Sequence, residues 1–417
     1  MYNLHLSAEQ LEIRDTVRDF VARKVEPVAL NADRLQAPEQ PLLVDVLDQA
    51  SQMGLRTLAL SEELGGAGGD ALTCCIVSEE LAAGDVDVAH VLAETSSLSH
   101  LLFDALMSAA QRERFLPQFL ADDRYHLALA EREPDSDGEL GVNYHRPVGG
   151  ENADETTAVR AGNGDWIVNG VKNCVANAPI AKLLAVRVNT KPGASDGTSL
   201  ILVPQGTPGL TIRRQEGAGV WCHGVCGEVI LEDCRVPAEN LLGPQSQTTL
   251  FERAGCGGRG QAQVSAMNIG VGRATYEAAL EYAHIRVQGG RRLIEHQAIG
   301  TKLAEIAIKL EVARNAVWQA AWGSDHPEAC ADRSLADVPL AAMAKVFTSE
   351  MIYQAAKDAA EIFGAMGVMK DMPLQKHVHD ALIFLHSGHG NSELKLRIAE
   401  SLAGYRRPSI ASAHAAE

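Results

Sequence analysis

The chain has 417 residues, 46% of them hydrophobic and 5% aromatic, and a formal net charge of −17. That length exceeds one simple core and predicts two or three globular domains of ordinary composition. The acidic balance argues against a nucleic-acid face, and no run of about 18 apolar residues offers a membrane span.

From residue 1 to about 124 the pattern is helical. Ser7 and Gln10 have capping-box spacing, and Leu11, Val17, Phe20, Val21 and Val25 form a stripe that stops before Pro27. Charged residues interleave with that stripe, which describes an amphipathic helix and not a secretory leader. Further helices are expected over 42–53, 71–83, 88–106 and 111–120, with a glycine loop at Gly65, Gly66, Gly68 and Gly69.

Between about 125 and 239, Asp and Gly turns punctuate short apolar runs. Strands are expected at 157–160, 166–168, 183–188, 199–203, 210–212 and 228–231, with Asn169-Gly170 read as a hairpin turn. No helix separates them, which predicts an antiparallel barrel or sandwich. From 240 to 404 the pattern is helical again, and 405–417 reads as a frayed tail.

Eight scattered cysteines fit reduced thiols in the cytoplasm. Cys222, His223 and Cys226 lack the second ligand pair of a zinc site, so no metal is expected. Gly255, Gly257 and Gly260 spell GxGxxG, but helix flanks them where a dinucleotide site needs a strand.

The segment 282–297, YAHIRVQGGRRLIEHQ, stands apart. A helix, a Gly-Gly break, three arginines and a second helix suit a phosphate-bearing ligand or, equally, a solvated basic turn. The following stripe of Leu303, Ile306, Leu310, Ala313 and Val317 predicts a long helix with one buried face.

The order of these segments and several motifs resemble the acyl-CoA dehydrogenase family over nearly the whole chain. The motifs are 60–69 (LSEELGGAGG), Ser78-Glu79-Glu80-Leu81, Leu116-Pro117, Asn169-Gly170-Val171-Lys172 and Val236-Pro237-Ala238-Glu239-Asn240. Tyr282, Ala283, Arg286, Gly290, His296 and Gln297 follow, then Phe363-Gly364 with Gly367, Pro373 and Asp380-Ala381. The resemblance implies an α+β multidomain fold: a helical N-terminal domain, a central antiparallel β-barrel or sandwich, and a C-terminal four-helix bundle. It also implies FAD, an acyl-CoA thioester substrate and a homotetramer, or a heteromer with an active paralogue. Arg286, Gln297 and the turn Phe363, Gly364 and Gly367 would hold FAD, with Ser136, Cys174, Ala176 and Gly390 beside it. Arg253 and Arg259 are candidates for the CoA moiety.

The chain departs from the family where chemistry is expected. The carboxylate that removes the substrate α-proton is replaced by Gly388 or, with one inserted residue, by His389. The alternative position on the earlier helix is Gly260. Cys174, Val175 and Ala176 replace a segment whose hydroxyl meets the flavin, Arg132 replaces a small residue, and Gly289 replaces an aromatic. Three readings follow. One is a dehydrogenase using His389 or His386 as base. Another is a fold turned to flavin-dependent oxygenation, a monooxygenase aided by Arg132. The third is a non-catalytic subunit or CoA-ester binder.

Overall fold

Ser7 starts the first helix as its spacing with Gln10 predicts: its hydroxyl accepts from the Gln10 amide, and the Gln10 side chain accepts from the Ser7 amide, both at 3.1 Å. The computed structural model describes residues 5–37, 40–134, 155–191, 197–214, 222–242, 258–330, 335, 338–387 and 389–403. Helices α1 (Ala8–Phe20), α2 (Glu26–Ala29), α3 (Ala32–Gln36), α4 (Val44–Gln52), α5 (Ala71–Gly84), α6 (Val86–Ser99) and α7 (Ala109–Ala121) precede the sheet. Its strands are β1 (His126–Ala130), β2 (Thr157–Arg160), β3 (Trp166–Ala176), β4 (Ala181–Asn189), β5 (Thr198–Pro204), β6 (Leu210–Arg214), β7 (Cys226–Val236) and β8 (Leu241–Leu242). Then come α8 (Gly258–Ile285), the hairpin β9 (Val287–Gln288) and β10 (Arg291–Arg292), α9 (Gln297–Asp325), α10 (Leu340–Phe363), α11 (Pro373–Ile383) and α12 (Asn391–Leu402).

Contacts divide the chain into two units. One holds Met1–Leu47, Gly69–His90 and Gly257–Ile398; the other holds Asp48–Gly68, Val91–Cys256 and Ala399–Glu417.

The first unit is helical. Pro27 does not end the opening stripe. It lies in the first turn of α2, where its missing N–H is not needed, and a π-helical turn at Val21–Val25 joins α1 to α2. Helix α5 is buried almost throughout and carries two carboxylates, which burial tolerates only when they are paired. Glu80 meets Arg18 at 2.7 Å and Arg273 at 2.6 Å, and Glu79 accepts from Arg314 at 3.2 Å. The stripe predicted for α9 is buried at Leu303, Ile306, Leu310, Ala313 and Val317.

Helices α8 and α10 run side by side in the same direction. The Tyr282 and Phe363 rings stack at 4.1 Å, and ten residues earlier Gly272 lies so close that an added Cβ would sit 2.8 Å from Ile352. Helix α12 packs near the other end of α10, where Leu394 and Ile398 join Ala342 and Val346.

In the second unit eight strands form one sheet in the order β6-β7-β3-β2-β4-β5-β8, with β1 also beside β4. This corrects the expectation of purely antiparallel pairing and of a closed barrel. Both β1 and β2 pair with β4 in parallel, so the sheet is mixed, and β6 and β8 leave it open. Parallel neighbours need a long crossover, which the chain supplies between β1 and β4. Alternation along each strand sorts the core. Leu183, Ala185, Leu200 and Leu202 pack with Leu102, Phe103, Phe115 and Phe119, while Leu184, Val186, Ile201 and Val203 pack with Trp166, Val168, Val229 and Leu231.

Asn169-Gly170 is not a hairpin turn. The β2–β3 turn lies at residues 161–165, with Gly164 at φ 91°, and β3 continues through Asn169 and Gly170. Gly170 serves close approach instead: an added Cβ would lie 2.6 Å from the Thr156 Cα. The reduced state expected of the cysteines fails at one pair, since Cys222 and Cys226 are disulfide-bonded. Cys74, Cys75, Cys174 and Cys234 are not in disulfides. Among the described residues no helix is long and apolar enough to cross a membrane.

Candidate active site

Two groups of predicted site residues occupy opposite ends of α10. The first gathers at its C-terminal end. Helix α8 stops at Ile285, and Arg286 follows as a cation at a helix C-terminus, its amide donating to the Tyr282 carbonyl at 2.9 Å. Gly289 and Gly290 form the two-residue loop between β9 and β10 with φ of 63° and 83°, the left-handed pair that a type I′ turn needs. A left-handed φ is strained for any residue with a side chain, so the turn as built favours glycine at 289. The His296 ring lies under this turn, bonded to the Gln288 carbonyl at 2.9 Å. Gln297 opens α9, exposed. The Tyr282–Phe363 stack brings in the turn Gly364–Val368, where Gly364 has φ 59° and Gly367 packs on the Ala360 carbonyl. Arg286, Arg291 and Arg292 are exposed, and among the described residues no carboxylate forms an ion pair with them.

The second group lies toward the N-terminal end of α10. Asn391, at the start of α12, accepts from Lys345 at 2.9 Å and from Ser349 at 3.0 Å. Two residues earlier, His389 Nδ1 stands 2.9 Å from Glu393 Oε1, and Arg397 reaches the same oxygen at 2.6 Å. Burial alone would raise the Glu393 carboxyl, but His389 and Arg397 together pull it down to about 2. Burial lowers Lys345 to about 8 against the pull of Glu393 and Glu350. His386 is exposed on the same loop, and Gly390 begins the α12 turn, accepting from the Leu394 amide. Because α8 runs parallel to α10, Gly260 is level with the start of α10; an added Cβ there meets nothing within 4 Å. Phe363 lies 17 residues beyond Val346, so the two groups are about 25 Å apart at a helix's ~1.5 Å rise.

Comparison with known proteins identifies the family. The N-terminal, middle and C-terminal domains of acyl-CoA dehydrogenase match residues 7–123, 147–234 and 258–402. The probable acyl-CoA dehydrogenase YngJ of Bacillus subtilis is 32% identical over 96% of this chain and 99% of its own length. The chain belongs to the acyl-CoA dehydrogenase family. The short-chain specific acyl-CoA dehydrogenase of rat mitochondria is 29% identical, covering 89% of this chain and 84% of that protein. The structure of a butyryl-CoA dehydrogenase from Megasphaera elsdenii superimposes with a TM-score of 0.81 at 26% identity, covering 96% of this chain and 100% of that one. Membership makes the chain a FAD-dependent oxidoreductase of acyl-CoA thioesters.

The residues fit that cofactor. Three exposed arginines whose guanidinium groups pair with no carboxylate among the described residues suit a pyrophosphate, and the open backbone at Gly364, where an added Cβ meets nothing within 4 Å, leaves room for a ligand.

The second unit carries the remaining predicted residues. Arg132 is exposed, and its carbonyl accepts from the Asn173 amide at 2.7 Å. Cys174 is exposed in the left-handed region at φ 52°, and Ala176 ends β3. Beneath them lies a pair that sequence reading passed over, although Lys172 belongs to the N-G-x-K motif. Fully buried Lys172 donates to Glu133 at 2.7 Å, and Glu133 also accepts from the Glu155 and Thr156 amides. Burial works against the Glu133 anion, yet these donors hold its carboxyl at about 2. This pair ties the segment carrying Arg132 to the strand carrying Cys174. Asn177, at φ 61°, reaches the Val91 carbonyl and Thr95, and Thr95 bonds His126.

Ser136, Arg253 and Gly388 lie outside the described residues. The Arg259 guanidinium is already engaged by the Gly69 carbonyl and stands 3.8 Å from Asp325. Glu393 and Arg397 were the missed members of the base end. Their signal was in the sequence, since 389, 393 and 397 are spaced to share one helical face.

Proposed function

We propose that the protein carries out α,β-dehydrogenation of an acyl-CoA thioester with His389 as the base. The observation that carries this reading is the His389–Glu393 contact at 2.9 Å, at the same end of α10 as Gly260, where the family's alternative carboxylate would stand. A histidine paired with a carboxylate can accept the α-proton near neutral pH, a contribution of about 10²–10⁴-fold. His386, exposed on the same loop, is the weaker candidate.

Arg286, Gln297 and the turn Phe363, Gly364 and Gly367 would hold FAD. Cys174, Ala176, Arg132 and Ser136 would border its ring, with Gly390 beside the base. Bound FAD would supply the two-electron acceptor. The small side chains at 174 and 176 leave the ring without a hydroxyl partner from that strand. The CoA phosphates fall to Arg253 and Arg259, of which Arg259 would exchange Asp325 and the Gly69 carbonyl for ligand.

The 25 Å between the Arg286 and His389 ends exceeds what the ribityl linker spans between flavin ring and pyrophosphate. One chain would therefore lend Arg286 to one FAD and His389 to another, which requires a symmetric assembly. Ile285, Val287 and Val368, at 69%, 57% and 75% exposure, give that end an apolar surface for a second copy. We infer a homotetramer located in the cytoplasm.

The test is a spectrum of the purified protein followed by anaerobic titration with a panel of acyl-CoAs. Flavin bands that bleach with wild type and not with His389→Asn are expected. Steady oxygen consumption with a CoA thioester would overturn dehydrogenation in favour of oxygenation, and protein that stays colourless with added FAD would favour a non-catalytic role.

A further inference from the structure

We propose that Glu393 is a positioning residue that selects the tautomer of His389 and strengthens it as a base, with Arg397 holding Glu393 in place. This rests on the reading of His389 as the base.

The local fold builds the contact. Helix α11 ends at Ile383, the His386 and Ser387 amides donate to the Ile383 carbonyl, and the Asn391 amide returns to the Leu385 carbonyl at 3.0 Å. That closure places His389 two residues before α12, with Glu393 in its first turn. A carboxylate is favoured there by the unpaired amides of a helix N-terminus. The imidazole then meets Glu393 as an i,i+4 neighbour, and Arg397 follows one turn on.

An ionised carboxylate has lone pairs and no proton, so it can only accept. Its acceptor Oε1 faces Nδ1 of His389, so Nδ1 carries the hydrogen and the neutral ring keeps its basic lone pair on Nε2. In the proton transfer the substrate α-C–H bond breaks, its electron pair stays on the thioester enolate, and the proton bonds to Nε2. The imidazolium so formed faces an anion already in position, which favours proton uptake. The Arg397 contact at 2.6 Å keeps Glu393 ionised and limits its rotamers. Other charges near the pair are Lys345 and Glu350 of α10, Lys395 of α12, paired with Glu350, and His386 of the same loop.

The experiment compares wild type with Glu393→Gln, Glu393→Asp, Arg397→Gln and His389→Asn as full-length holoenzymes. The imidazole titration is followed by NMR on histidine-labelled protein, with His389→Asn assigning the signal. In Glu393→Gln the His389 midpoint should fall by about 1 pH unit. The acid limb of kcat/KM should move with it, and kcat should drop roughly 10–10²-fold while KM stays within about twofold. Glu393→Asp should restore part of both effects, and Arg397→Gln should move them in the same direction by less. Folded Glu393→Gln with an unmoved His389 titration overturns the inference alone. His389→Asn with full activity overturns the base assignment and this role together.

Discussion

The two ends of α10 handle charge in opposite ways. Around Arg286 three arginines stand exposed beside a glycine turn, their guanidinium groups in no ion pair with a carboxylate among the described residues. Around His389 the charged groups are bonded within the cluster: His389 and Arg397 to Glu393, Lys345 to the neutral Asn391 amide, Lys395 to Glu350. A surface that leaves cations unmatched is arranged for an anion from outside. A cluster whose groups are already bonded to one another can move a proton without leaving a polar group unpaired in a partly buried site. On the proposed reading the same bundle provides a holding end and a reacting end.

The largest effect expected from breaking this contrast is at the holding end. Arg286→Ala should weaken FAD by about 1.5–3 kcal/mol, roughly 10–150-fold, read by fluorescence titration of apoprotein, with a salt dependence that wild type shares. Unchanged affinity would remove Arg286 from the cofactor site. A smaller effect tests whether the reacting end is defined by place and not by residue. Gly260→Glu in the His389→Asn background should recover about tenfold of the lost bleaching rate, because the site is open to a side chain and faces the same end. No recovery in folded protein would mean that the two base positions do not converge here.

The smallest effect concerns acid stability. The folded Glu393 carboxyl is held at about 2, below its ordinary value of 4.5, so its stabilisation is complete above pH 4.5 and lost as pH falls toward 2. Glu393→Gln should flatten that part of the stability curve by about 1 kcal/mol, whereas Arg286→Ala should leave its shape intact, as followed by chemical denaturation. Equal flattening in both variants would erase the distinction between the ends.

Much of this was legible beforehand. The α9 stripe, the Ser7 cap, the Gly289-Gly290 break and the strands at 183–188 and 199–203 follow from local rules of period and turn chemistry, and they hold. Asn169-Gly170 misled because the same dipeptide serves a tight turn or a close approach, and only the neighbour at Thr156 decides which. The mixed sheet was hidden because β1 pairs with a strand about 55 residues away, and such pairing leaves no local trace.

The sequence by itself determined the family, and with it FAD and the acyl-CoA thioester, since ordered motifs along a chain survive without knowledge of contacts. It also placed Gly388 or His389, and Gly260, where the family resemblance leads one to expect a carboxylate. Tertiary structure decided that Lys172 and Glu133 close the segment beside Cys174, and that Arg286 and His389 lie at opposite ends of one helix. Those are distances between residues remote in sequence or on different faces, and only the packing of helices and strands sets them.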